Sequence, residues 1–342
     1  MKNLGIFALL LSLLLAAACT KKGPEDGAKA AGGTAALKVG LVLDKGGKDD
    51  KSFNSAAFQG ATQAVKELGI ELKDIECPDD AAFEPALTTL AERGFPLIIA
   101  IGFSQKDAVQ KVSKKFPNTH FALVDAVVDQ PNVRSLTFKE HEGSFLVGYL
   151  AGLETKTGTT GFVGGMDVAM IRRFAMGYEA GVKEAKKDAK VLINYVGITS
   201  DAWANPNRGK ELALSQYGRG ADIIFSAAGA TNMGVFDAAE EKKKFAIGVD
   251  SNQNWVKPGL ILTSMLKRVD VAVFDTIKSE KDGKFAGGLK SFGLADKGID
   301  YAVDANNEKL VALHKDKLEK VRDDIVSGKI KVPDYYEIQK VK

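Results

Sequence analysis

From Leu37 onward, short runs of aliphatic and β-branched residues alternate with longer amphipathic segments. The runs predict strands at Lys38–Asp44, Glu71–Cys77, Leu97–Gly102, His120–Asp125, Ser135–Phe138, Thr160–Gly164, Val191–Val196, Asp222–Ser226, Phe245–Asp250 and Leu260–Leu266. Most are apolar throughout, not alternating. That is the pattern of strands covered by helices on both faces, as in parallel sheets. Helices are predicted between them at Ser52–Leu68, Phe83–Arg93, Gln105–Lys115, Glu140–Thr155, Val168–Ala185, Arg208–Tyr217, Met233–Lys243 and Val269–Glu280. The first carries Phe53, Ala57, Ala61, Ala64, Val65 and Leu68 on one stripe, with Ser52 placed to cap its start and Gly69 its end. Strand–helix–strand repetition argues for an α/β fold with right-handed crossovers. Ten strands overfill one small open sheet, so two doubly wound lobes are expected. The chain should change lobe near Phe138–His141 and again near Val249–Asn252. This assigns residues 37–139 plus 250–280 to an N-terminal lobe and 140–249 plus 281–342 to a C-terminal lobe.

The start of the chain breaks the alternation. Lys2 supplies a positive charge, and Leu4 to Ala18 runs 15 residues without another. The run is too short for an ordinary membrane span and suits a signal-peptide core over residues 1–18. It ends in Leu15-Ala16-Ala17-Ala18-Cys19, which resembles a bacterial lipobox with Cys19 as the lipidated residue. The alternative is a plain secretory signal. Residues 19–36 then read as an acylated Cys and a flexible Gly/Ala/Lys tether. A chain held this way is expected on the extracytoplasmic side of a cell membrane.

Composition narrows the function classes. With 45% hydrophobic and 27% charged residues the chain is globular, and Lys+Arg 47 against Asp+Glu 44 leaves +3, no basic footprint for nucleic acid. Two Cys and three His (His120, His141, His314) leave little for a metal site, and no metal or cofactor is expected. Neither a P-loop, GxGxxG, GxSxG, HExxH nor CxxC occurs. Cys77 reads as a small apolar residue at a strand end.

In open α/β sheets ligands gather where strands end. Strand one ends in Asp44 and leads through Gly46 and Gly47 to Phe53 and Asn54: a carboxylate, a ring able to stack a flat base or sugar face, and an amide. Asp125 closes Phe121–Val124 and is expected in the same crevice. Trp203 lies in a polar loop after Val191–Val196. Gly229 sits among small residues after Phe225, where a ligand could approach the backbone. Asp250 ends another strand and suits a vicinal diol. Lys267-Arg268 offers a cation. Each has a structural alternative: Phe53 in the core, the Asp residues as caps, Trp203 as a packing plug, Lys267 solvated. Arg172-Arg173 reads as surface ion pairing. An all-carboxylate nucleoside-cleaving enzyme also fits the residue types.

Taken together, VGLVLDKGGKDDKSFNSAAFQG, FALVDA, GFVGGMDVAMIRRFAMGYEAGVK, ADIIFSAAGATNMGVFDAA and AIGVDSNQNWVKPGLILTSMLKRVDVAV resemble the basic membrane protein family of bacterial lipoproteins, purine nucleoside receptor type. The resemblance implies a type I periplasmic-binding-protein fold. It implies a monomer that holds a purine nucleoside between its lobes and passes it to an ABC transporter permease. Carried to matching positions, Asp44 and Asn54 would bond the ligand, Phe53 would stack on the base, and Asp125 would bond the purine's polar edge. Asp250 would take the ribose hydroxyls with Lys267 beside it. The opposite ring would be Trp203, or else Phe225. Lys45 stands where many members carry a small or polar residue, which implies an altered base preference. Other roles open to such a chain are a signalling receptor, an adhesin, or a receptor for a sugar or autoinducer.

Overall fold

A computed structural model describes residues 36–340. The expected signal peptide, Cys19 and nearly all of the expected tether lie outside the described residues. The first lobe runs β1 (Lys38–Leu43), α1 (Phe53–Leu68), β2 (Glu71–Glu76), α2 (Phe83–Glu92), β3 (Leu97–Ile101), α3 (Lys106–Lys115), β4 (His120–Val124) and β5 (Val133–Phe138). The second runs α4 (Glu140–Glu154), β6 (Thr159–Met166), α5 (Ala169–Ala185), β7 (Lys190–Gly197), α6 (Pro206–Gly218), β8 (Ile223–Ala227), α7 (Asn232–Lys242), β9 (Phe245–Asp250) and β10 (Ile261–Lys267). Then follow α8 (Val269–Lys281), β11 (Gly288–Phe292), β12 (Ile299–Tyr301), α9 (Glu308–Val311), α10 (Lys315–Val326) and α11 (Tyr335–Lys340).

The two sheets repeat one order. The first is β11-β5-β4-β3-β1-β2 and the second β12-β10-β9-β8-β6-β7. Every pairing is parallel except β10 with β12. Strands β1, β3, β4, β8 and β9 are almost wholly buried, as their unbroken apolar runs require. Strand order reverses between β1 and β3 and between β6 and β8. A crevice opens at such a reversal, so each lobe offers one at the carboxyl ends of its strands. Cys77, just after β2, is buried among apolar neighbours, and burial pushes its thiol up to about 11.

Three passages join the lobes. The first, Phe138 to Glu140, falls where the apolar pattern placed it. The second does not lie at Val249–Asn252, because β9 and β10 are neighbours in the second sheet. The chain crosses after Lys267, and α8 packs on α1 so closely that a Cβ on Gly60 would stand 2.1 Å from the Asp270 carbonyl oxygen. It crosses again after β11, which pairs with β5 in the first sheet. So β10 belongs with the second sheet and β11 with the first, the reverse of the expectation for 250–280 and 281–342. The reason is physical. A continuous apolar run fixes a strand as buried but not which sheet buries it. The exposed edge strand Gly288–Phe292 has too few apolar residues to announce itself.

Candidate functional site

At the end of β1 the chain turns through Gly46 and Gly47 into α1. The helix is not capped by Ser52, whose side chain makes no cap bond. Asp50 caps it, accepting from the backbone N–H groups of Ser52 (2.8 Å), Asn54 (2.9 Å) and Ser55 (3.0 Å). A carboxylate outcompetes a hydroxyl there because the helix start carries positive dipole. The Asn54 amide donates to Asp50 (3.0 Å) and to Asp44 (2.7 Å), and its oxygen accepts from the Asp44 N–H (3.2 Å). This lattice fixes Asp44 and leaves Phe53, first residue of the helix, half-buried beside it. Ser52 is thereby freed to donate its hydroxyl to Asp250 Oδ2 at 2.6 Å, from one lobe to the other.

Asp125 and Asp250 follow or end β4 and β9 with φ of +72° and +64°. Left-handed backbone is tolerated by Asp better than by most residues, and it turns each carboxylate out of its strand line. Lys267, at the end of β10, is 1% exposed and donates to Asp125 Oδ2 at 2.6 Å, with Glu140 Oε1 at 3.3 Å. Its ammonium lies 5.0 Å from the centre of the Phe53 ring and 5.8 Å from that of Phe174. The solvated reading of Lys267 is overturned. Asp125 Oδ1 is buried with no partner among the described residues, an acceptor that costs free energy until a donor reaches it.

The second lobe supplies the facing wall. The short turn Ser200–Ala204 is anchored by the Thr231 hydroxyl, which donates to the Ala202 carbonyl (2.8 Å) and accepts from the Asn205 N–H (2.8 Å). Trp203 then lies over Gly165, where a Cβ would stand 2.1 Å from the indole. Its ring meets Phe103 of the first lobe edge to face, centres 6.4 Å apart.

These residues enclose one cavity of about 510 Å³, counting its solvent-open part. Asp44, Phe53, Asn54, Asp125, Trp203, Gly229, Asp250 and Lys267 all line it. Phe225 does not. It is fully buried against Phe162, Phe174 and Tyr178, because its position in β8 faces α5 and not the strand end. Lys45 also lies off the cavity and pairs with Asp201 of the opposite lobe. Asp50, Phe103, Met170, Ile171 and Phe174 line the cavity without having been singled out. Asp50 was findable as an Asp just before a helix. Phe103 follows the end of β3, and Met170, Ile171 and Phe174 follow the end of β6; neither position was weighed for a ligand.

The lining is acidic: four aspartates and one lysine, itself already paired. Burial pushes the Asp44 carboxyl up to about 6 and Asp250 up to about 7; it also raises Asp125, with Lys267 pulling the other way. Burial opposes the Lys267 ammonium, but Asp125, Glu140 and Asp250 outweigh it and hold its proton more tightly than usual. Arg173, expected on the surface, is buried. It donates to Glu140 (2.6 Å), the Phe138 carbonyl (2.5 Å) and both oxygens of Asp334 (2.8 Å). Arg172 alone keeps the surface role, paired with Asp167.

Residues 37–335 match the family described as ABC transporter substrate-binding protein PnrA-like. The chain is 36% identical over 320 residues to the ABC transporter nucleoside-binding protein BmpA of Lactococcus lactis subsp. cremoris, covering 87% of this chain and 89% of that one. It is 36% identical to the CD4+ T-cell-stimulating antigen of Listeria innocua, covering 96% and 98%. Among solved structures, ABC transporter system solute-binding proteins from Aeropyrum pernix superpose with a TM-score of 0.80 at 30% identity, covering 89% of this chain and 96% of that one. The two-lobe fold with paired parallel sheets is that of the type I periplasmic-binding proteins. The family is one of transporter substrate-binding proteins and not of enzymes, which turns the aspartate set away from hydrolysis. Matched to that family from residue 37 to residue 335, the chain belongs to the PnrA-like family of ABC transporter substrate-binding proteins.

Proposed function

We propose that the chain is a lipid-anchored receptor that captures a purine nucleoside between its lobes and delivers it to an ABC permease. The observation that carries this is the lining of the cavity: four aspartates, aromatic rings, and a lysine already paired with one of those aspartates. Such a lining wants a neutral ligand rich in donors. A ribose offers its vicinal hydroxyls to Asp250, while a purine offers an amino group or a ring N–H to the open oxygen of Asp125. Phe53, with Trp203 opposite, supports stacking on the base, which contributes roughly 1–3 kcal/mol and tolerates different purines. An ionised Asp125 accepts from adenosine, inosine or guanosine alike. A phosphate would meet aspartates where it needs cations, which speaks against nucleotides. The nucleoside-binding name of the Lactococcus relative supports the same reading. Anchoring rests on Leu15–Cys19, and no helix among the described residues is long and apolar enough to cross a membrane.

Mass spectrometry of the small molecule released on denaturing the purified chain tests the proposal, followed by calorimetry of the ligand-stripped protein. A purine nucleoside is expected in the first, and nucleoside binding without turnover in the second. A sugar or amino acid in its place would overturn the reading.

A further inference from the structure

The cavity continues into a buried chain of charges. Asp125 pairs with Lys267 (2.6 Å), Lys267 with Glu140 (3.3 Å), Glu140 with Arg173 (2.6 Å), and Arg173 with Asp334 through both oxygens (2.8 Å). The side chains are between 1% and 14% exposed. Each comes from a different place: the ends of β4 and β10, the first residue of α4, the second turn of α5, and the residue before α11. Two of the three passages between the lobes run through it, since Phe138 gives its carbonyl to Arg173 and Lys267 is itself at a crossing. The Tyr336 ring lies against the outer face of the guanidinium, 4.8 Å away.

The signs alternate along this row, and that makes its far end matter at the near end. Glu140 is shared between Lys267 and Arg173, and Arg173 between Glu140 and Asp334. Remove the charge of Asp334 and Arg173 bears on Glu140 alone. Glu140 is then drawn from Lys267, and Lys267 is left with Asp125 as its main partner. In a medium that screens poorly, each transfer is felt at the next pair.

We propose that Asp334, carried by the C-terminal segment, is a positioning residue of the cavity: through Arg173 and Glu140 it sets how much of the Lys267 charge falls on Asp125, and so how freely Asp125 accepts from a ligand. The link to ligand affinity rests on the nucleoside reading above; the link between the two aspartates does not. Asp125 is faced by Lys267 from β10, Glu140 from α4, Arg173 from α5, and the acids Asp44 and Asp250 from β1 and β9. Tyr336 of the C-terminal helix also feels it, and at the far end of the row His141 of α4 faces Asp334, its Nδ1 3.9 Å from Oδ2.

The test is a carboxyl ¹³C titration of the full, ligand-free chain, with the Asp125 resonance assigned from Asp125→Asn. In Asp334→Asn the Asp125 midpoint should move down by about half a pH unit or more, because one negative charge has left the row. Tyr336→Leu loosens the helix without touching the charges and should leave the midpoint in place. Asp334→Glu should restore it. An unmoved midpoint in Asp334→Asn, or an equal shift in Tyr336→Leu, overturns the proposal. Inosine affinity across pH 5–8 is measured on the same variants. A shifted midpoint in a chain that binds no nucleoside would sink the nucleoside reading and leave the positioning role standing.

Discussion

The cavity is closed in two unlike ways. Its floor is buried and ionic: Lys267 ties β10 to Asp125 of the other lobe, and Ser52 reaches across to Asp250. Ser251 donates to the Ser52 carbonyl (2.8 Å) and Gln253 to that of Lys51 (2.9 Å). Its rim is exposed and loose: Lys45 meets Asp201, whose side chains are 30% and 71% exposed, and Phe103 meets Trp203 edge to face. The same chemistry, an ammonium on a carboxylate, therefore does two jobs. In the floor, desolvation makes each partner indispensable to the other. At the rim, water screens the pair and its worth is small. A receptor that must hold its lobes in register yet let a ligand pass needs both.

Breaking the floor should have the largest effect. Lys267→Met strands Asp125 and Glu140 in the interior and should cost about 3–5 kcal/mol of stability, read from urea unfolding. A loss under 1 kcal/mol would show that the floor is no more than the rim. Phe53→Ala comes next: it should leave the unfolding midpoint nearly unchanged while weakening nucleoside affinity by about 1–3 kcal/mol in calorimetry. Unaltered affinity would remove the stacking role.

The pH response sharpens the contrast, because among the described residues the carboxyls held above their ordinary value are Asp44, Asp125 and Asp250, all in the cavity lining. The folded chain keeps protons on Asp44 and Asp250 up to about 6 and 7, whereas the unfolded chain releases them near the ordinary carboxylate value. Between those limits the native state binds more protons than the unfolded one. The contribution of these two groups to stability therefore falls as pH rises from the ordinary value towards 7, then levels off. Ligand donors prefer the ionised form, so nucleoside affinity should rise over the same interval. Asp250→Asn should flatten both slopes in thermal melts and titrations, and slopes unchanged by it would contradict the assignment. The smallest effect belongs to the rim. Lys45→Ala should change stability by less than about 1 kcal/mol and show itself as faster ligand release in stopped flow. The difference should fade as salt is added.

Most of the cavity was legible in the sequence because the fold rule is strong: strand ends of a parallel sheet face the crevice, and Asp44, Asp125, Asp250 and Lys267 all stand at strand ends. Phe225 broke the same rule. It lies inside β8, where a side chain packs on a helix, and not after it. Ser52 against Asp50 shows a second limit. Both can cap; the carboxylate takes the helix start, and the hydroxyl it frees goes to Asp250, which lies 198 residues away along the chain and becomes Ser52's partner only in the fold. Lys45 could not be placed for the same reason, its partner Asp201 being in the other lobe. The exchange of β10 and β11 between the expected lobes is a third case. Burial is written in composition, but the identity of the covering layer is not.

The central claim is that this lining selects a neutral, donor-rich ligand with a flat base. It is tested most directly by titrating the ligand-stripped chain with inosine, adenosine, the matching nucleotide, the free bases and ribose in one calorimetric series. Binding of the nucleosides, with the nucleotide and ribose much weaker, is the expected result. Tight binding of ribose or of the nucleotide, with nucleosides inert, would contradict it.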